Sequence, residues 1–341
     1  MKGAGFISSG SYGCVNSPPL QCQDDKDRNK KYYRGSVGKY FGDTTYANDE
    51  YHIQEIVKKV DPKYTWTLPL LKKCTISHPK KVDEADKCEY YNEDDDKKYM
   101  QLIYKKGGVD LLHLLDSYFG KSVKAKRDIF IKIFKLLKPI LYGLKALNEE
   151  GYCHLDIKPE NILFDGKRLS VIDFGLLSKS DKIFVDGNEK YLLFDYPFYP
   201  PEFKLYGSYL LKKGKIPNLV TFKSLWMKTM ERDTKGKSVR YDLNMQIERY
   251  YKLLAYNTIN FTKPRKVEEE FLKYVNKIDI YSLGITLYDM YSYLVLEDNL
   301  VTYSIKIFIL EMINLNPYER MNWENILKEY EKLINLIGNF K

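Results

Sequence analysis

Apolar and polar positions over the first forty residues follow the short alternation of strands. KGAGFI and the segment from Cys14 flank a loop, and GSVGKYF predicts a later strand with Lys39 near its end. Between them, PPLQCQDDKDRNKKYYR is too polar and proline-marked for a core. From Tyr46 the period lengthens. Ile53, Ile56, Val57 and Val60 recur at helical steps until Asp61-Pro62 stops them. YMQLIYKK predicts a buried strand ended by Gly107-Gly108. Phe130, Ile133, Phe134, Leu137, Leu141 and Leu144 then form one apolar helical stripe closed by Gly151. Pro139 lies inside that stripe and, lacking a backbone donor, should kink or split the helix. Short strands follow at ILF and LSVID, and beyond Pro201 the pattern is almost wholly helical. Strands first and helices afterwards predict an α+β, two-lobed plan, with a small β-rich lobe over residues 1–105 and a larger α-helical lobe over 106–341. No internal repeat is visible.

Composition narrows the setting. The chain has 341 residues, 44% apolar and 30% charged, and no apolar run long enough to cross a bilayer. The apolar stretch in MKGAGFISSG is too short for a signal peptide. Five scattered cysteines, an odd number, predict reduced thiols and a soluble, intracellular protein. Cys74, His78 and Cys88 are the alternative, a zinc site, but no fourth ligand follows at a familiar spacing. The formal charge is +9, and residues 203–275 alone carry sixteen Lys and Arg against seven Asp and Glu. That basic, aromatic segment (Trp226, Tyr250, Tyr251, Tyr256) reads either as a solvated surface or as a dock for acidic protein partners or nucleic acid.

The candidate chemistry sits in HLDIKPENILF, residues 154–164, and in VIDFG. Transfer of a phosphoryl group asks little covalent work of a protein. It needs cations against the phosphates and a group that orients the attacking hydroxyl. Asp156 can accept a hydrogen bond from a hydroxyl, and Lys158 can reach a transferred phosphate. Asn161, with Asp173 twelve residues further on, supplies hard oxygen donors suited to Mg²⁺.

HLDIKPEN resembles the catalytic loop of the eukaryotic-type Ser/Thr protein kinases, and DFG at 173–175 resembles the metal-binding motif that follows it in that family. The resemblance implies a protein-kinase-like fold with ATP and Mg²⁺ (or Mn²⁺) as cofactors and protein substrates. Asp156 and Lys158 are then the catalytic pair, and Asn161 and Asp173 the metal ligands. SSGSYGCV is similar to the Gly-rich turn that covers the phosphates, supplying Gly10, Gly13 and Val15, with Ser8 in place of the first glycine and Tyr12 at the tip as a lid. Lys39 matches the strand lysine that pairs the α- and β-phosphates. Its helical partner is Glu50, on the face of Ile53 and Val57, or else Glu55. PPEF with Glu202, DIYSLG from Asp279 and NPYERMNWENIL with Arg320 are similar to the family's later landmarks, so Glu202 and Arg320 should form its buried ion pair. His154 should brace the loop through hydrogen bonds. Within the family the chain looks most like the kinases of giant nucleocytoplasmic DNA viruses, which would place it in the host cytoplasm or the virion.

Two departures matter. Leu155 stands where many kinases carry an arginine that binds activation-loop phosphate, so activity should not depend on phosphorylation between Asp173 and Glu202. Glu202 and Asp279 are also much further apart than the family requires, which marks residues 203–275 as an insertion. Two other functions stay open: a pseudokinase acting as a binding module, and a small-molecule kinase on the same fold.

Overall fold

The computed structural model describes residues 4–9, 13–25, 31–76, 82–83, 87–88, 99–183, 196–203, 269, 271–295 and 298–339. Gly10, Tyr12, His78 and nearly all of the insertion lie outside them. The chain divides into two compact units, residues 1–108 with 170–175, and residues 109–169 with 176–341.

The first unit is a six-stranded sheet with one helix. Its strands are β1 (Ala4–Ser9), β2 (Cys14–Ser17), β3 (Ser36–Phe41), β4 (Leu70–Ile76), β5 (Val82–Asp83) and β6 (Tyr99–Lys105), ordered β4-β6-β3-β2-β1-β5. The pairings are antiparallel except β1 with β5. Alternation along β3 sends Tyr40 to one face and Lys39 and Phe41 to the other. Tyr40 joins a buried cluster with Cys14, Cys22, Cys74, Ile76, Cys88, Tyr99 and Ile103. Phe41 packs with Leu102 and with Ala47 of helix α1 (Thr44–Val60). Asp43 caps α1 by accepting the Thr45 N–H. At the far end Asp61 accepts the N–H groups of Thr65, Trp66 and Thr67, which fixes the turn leading toward β4. Strand β4 has no counterpart in the sequence reading. LLKKCTI alternates, but its charges put it on the sheet edge, where strand and loop read alike.

The cysteines overturn one expectation. Cys14 is bonded to Cys88 and Cys22 to Cys74, across 74 and 52 residues of chain, and only Cys153 is a free thiol. The expectation of reduced thiols fails because sheet pairing brings together cysteines that no local spacing connects. The argument from thiols to an intracellular setting falls with it. Cys74 and Cys88 are committed to different disulfides, so neither is a thiolate ligand for zinc.

The second unit begins at β7 (Val109–Asp110), which pairs with β9 (Ile162–Phe164). Helices α2 (Leu111–Ser117), α3 (Val123–Lys135) and α4 (Lys138–Glu149) come next. The apolar stripe is split at Leu136-Leu137, and Pro139 opens α4 from its first turn, where the missing donor costs nothing. Gly151, at φ +79°, follows the helix end in the left-handed region that glycine adopts without strain. After β8 (Tyr152–Cys153), β10 (Leu169–Val171, of which only Leu169 belongs to this unit) and β11 (Ser178–Lys179) come helices α5 (Ile278–Leu294), α6 (Leu300–Met312) and α7 (Trp323–Asn339). Helix α5 is buried on nearly every side, as its continuous apolar sequence demands. Helix α7 is docked at its start and its middle: Trp323 Nε1 donates to Asn148 at 2.6 Å, and the Tyr330 hydroxyl to the Phe134 carbonyl at 3.0 Å. Among the described residues no helix is long and apolar enough to cross a membrane.

Candidate active site

In the first unit, strand register assembles one row of predicted residues. Ser8 lies opposite Val15, Val15 opposite Lys39, and Lys39 opposite Leu102. Gly13 precedes this row where a Cβ would stand 2.5 Å from the Tyr40 carbonyl oxygen, so no side chain fits there. The Lys39 ammonium is 2.6 Å from Glu50 Oε2 and 3.7 Å from Asp173 Oδ1. Glu55 is exposed and lies 3.5 Å from His52 instead. Burial disfavours the Lys39 charge, but the Glu50 and Asp173 carboxylates outweigh it and hold the lysine pKa above its ordinary value. The ammonium therefore stays charged across the physiological range.

Asp173 reaches Lys39 because its backbone is left-handed, at φ +58°. For a residue other than glycine this is a sparsely populated conformation, costing about 1–3 kcal/mol. The segment around it is tied to the first unit, since the Val171 N–H donates to the Trp66 carbonyl at 2.8 Å and Phe174 packs edge-on against Trp66.

A residue the sequence reading passed over completes this cluster. The Tyr104 hydroxyl donates to Glu50 Oε1 at 2.8 Å, so both Glu50 oxygens are engaged. The signal was present: Tyr104 stands two places after Leu102, the register partner of Lys39, and so shares its sheet face. Burial raises the Tyr104 pKa well above the usual phenol value, and the Glu50 charge adds to the effect. Tyr104 is therefore a neutral donor.

In the second unit, the loop of residues 154–161 is hung from helix α5. Asp279 accepts the His154 N–H at 2.8 Å and the Leu155 N–H at 3.0 Å. Burial drives the Asp279 pKa up, and His154 and the two backbone donors pull the other way. His154 braces the loop from within, its Nδ1 accepting the Asp156 N–H at 3.2 Å. Leu155 is fully buried at φ +65° and packs with Tyr199, Phe203 and Ile278. The position that would hold an arginine thus faces an apolar cluster.

Asp156 gathers the rest. Its Oδ2 accepts from Asn161 Nδ2 at 2.7 Å and from the Lys158 ammonium at 3.0 Å. The same Asn161 nitrogen donates to the Asp156 carbonyl at 2.9 Å, closing the turn Pro159–Asn161. With its nitrogen so committed, the Asn161 carbonyl oxygen is the atom it can offer a cation. A carbonyl oxygen of this kind is a hard donor of the type Mg²⁺ takes. Further along, the Tyr196 hydroxyl donates to Asp156 Oδ1. Arg320 meets Glu202 through two parallel bonds of 2.5 and 3.1 Å. The arrangement can hold a hydroxyl against a carboxylate beside a cation, which is the requirement for phosphoryl transfer.

Comparison with known proteins agrees with this geometry. Residues 45–203 match the protein kinase domain family. A probable serine/threonine-protein kinase of Dictyostelium discoideum is 28% identical over 133 residues, covering 35% of this chain and 19% of that protein. Calcium-dependent protein kinase 4 of Plasmodium falciparum is 27% identical over 146 residues, 40% of this chain and 26% of that one. A probable serine/threonine-protein kinase of fowlpox virus is 47% identical over 59 residues, 17% of this chain and 19% of its own length. The matches thus span about a fifth to a quarter of those relatives.

Proposed function

We propose that the chain is an ATP-dependent serine/threonine protein kinase. The observation that carries the reading is the engagement of Asp156 by Lys158 and Asn161 on a single oxygen, in a segment that matches the protein kinase domain. Asp156 orients the acceptor hydroxyl and takes its proton, and Lys158 steadies the transferred phosphate. Lys39, held by Glu50, would pair the α- and β-phosphates, and Ser8, Gly10, Tyr12, Gly13 and Val15 would contribute the Gly-rich turn against them. Asn161 in the second unit and Asp173 in the first each carry a hard oxygen of the kind Mg²⁺ takes, and the ion when bound would neutralise phosphate charge. Kinship with the kinases of giant nucleocytoplasmic DNA viruses is supported by the 47% identity to the fowlpox protein over 59 residues. The charge of residues 203–275 supports docking of acidic protein substrates.

The test is to incubate purified protein with Mg·ATP and a dephosphorylated protein extract and to map the new phosphosites. The reading predicts phosphoserine and phosphothreonine. Phosphate appearing only on small molecules or lipids would refute it.

A further inference from the structure

The two oxygens of Asp156 are in different situations. Oδ2 receives both Lys158 and Asn161, and Oδ1 receives only the Tyr196 hydroxyl among the bonds of this cluster. If Asp156 orients an acceptor hydroxyl, as proposed above, Oδ1 is the atom with room to do so. A phenol already donates to it.

We propose that Tyr196 occupies the acceptor position on Asp156, so that every incoming hydroxyl, whether a side chain's or water's, must displace its phenol. The residue is placed for this by its neighbours. Its ring packs 4.7 Å from Tyr199 and 5.4 Å from Phe198, and the Lys158 ammonium lies 5.7 Å from the ring centre. Burial, reinforced by the Asp156 charge, raises the phenol pKa, so Tyr196 remains a proton donor at neutral pH and mimics an alcohol. Tyr196 thereby sets a threshold for acceptors. Water brings nothing but its own hydroxyl, whereas a protein substrate brings further contacts that can offset the lost bond. The contact would slow transfer to every acceptor by the same factor, idle hydrolysis of ATP included, and leave useful turnover to acceptors whose further contacts make up the loss.

The experiment compares the wild-type 341-residue chain with Tyr196→Phe, which keeps the ring and removes only the hydroxyl. Two rates are read: Mg·ATP hydrolysis without acceptor, and transfer to a library of serine- and threonine-centred peptides. Thermal melts should show both proteins fully folded at the assay temperature. Removing a hydrogen bond to a charged group should raise both rates by about tenfold, with the KM for ATP unchanged. Equal rates overturn the proposal. So does a fall in kcat with a displaced acid limb of the pH profile, which would make Tyr196 a positioning residue. If neither protein turns ATP over although both bind it, the phosphotransfer reading itself fails and this proposal with it.

Discussion

Glu202 and Arg320 stand 118 residues apart in the chain and meet in a two-bond ion pair whose side chains are 2% and 0% exposed. A planar guanidinium matches a carboxylate in this way, and the Arg320 Nε–H also donates to the Asn314 carbonyl at 2.9 Å. Removing either partner strands a charge where water cannot reach it. Glu202→Gln or Arg320→Leu should each destabilise the second unit by about 3–5 kcal/mol, read as a lower denaturant midpoint. A loss no greater than a surface pair gives, under about 1 kcal/mol, would show that the pair is solvated.

Tyr104 holds the Glu50 oxygen that Lys39 does not use. Tyr104→Phe leaves that oxygen without its donor and lets the carboxylate rotate away from Lys39. We expect a stability loss of about 1–3 kcal/mol and a higher KM for ATP. The acceptor KM should not move, since Tyr104 acts only on the Lys39–Glu50 pair. An acceptor effect with unchanged nucleotide binding would contradict the assignment.

Leu155 is packed among Tyr199, Phe203 and Ile278, so it offers no cation to a phosphate. The double variant Ser178→Ala with Ser180→Ala should keep its activity, and phosphatase treatment of the wild type should leave the rate unchanged. Inactivation by phosphatase would mean that another cation has taken over the missing arginine's task.

The thiols can be counted directly. With two disulfides and a buried Cys153, the native protein should show no thiol reactive toward a water-soluble disulfide reagent, and one after denaturation without reductant. Burial, aided by the Asp279 charge, pushes the Cys153 pKa up, so little thiolate is present in the folded protein. Reduction in denaturant should reveal five thiols, and reduction of the folded protein should lower the stability of the first unit by about 2–5 kcal/mol. Five thiols in denaturant alone would refute the bridges.

Much of this was legible in order along the chain. The period change at Tyr46, the break at Pro139 and the helix stop at Gly151 each reflect a local rule, and the structure follows each. The polar loop motif could be read because its residues lie within eight positions, from His154 to Asn161. What escaped reading depends on distant pairing. The disulfides, the edge strand β4 and the Tyr104–Glu50 bond all require the sheet to be closed first. Tyr196 lies in no periodic element, so nothing in its neighbourhood marked it for Asp156. Asp279 appeared only as part of a helix motif, although its carboxylate carries the loop.

The central claim is that Asp156 receives the acceptor's proton while phosphate moves to that acceptor. The most direct measurement is transfer of labelled γ-phosphate to protein by wild type and by Asp156→Asn, with nucleotide affinity measured in parallel. The account predicts equal ATP affinity and a transfer rate at least about a hundredfold lower in the variant, within the range for loss of a positioned base. Undiminished transfer by Asp156→Asn, with the fold intact, would contradict it.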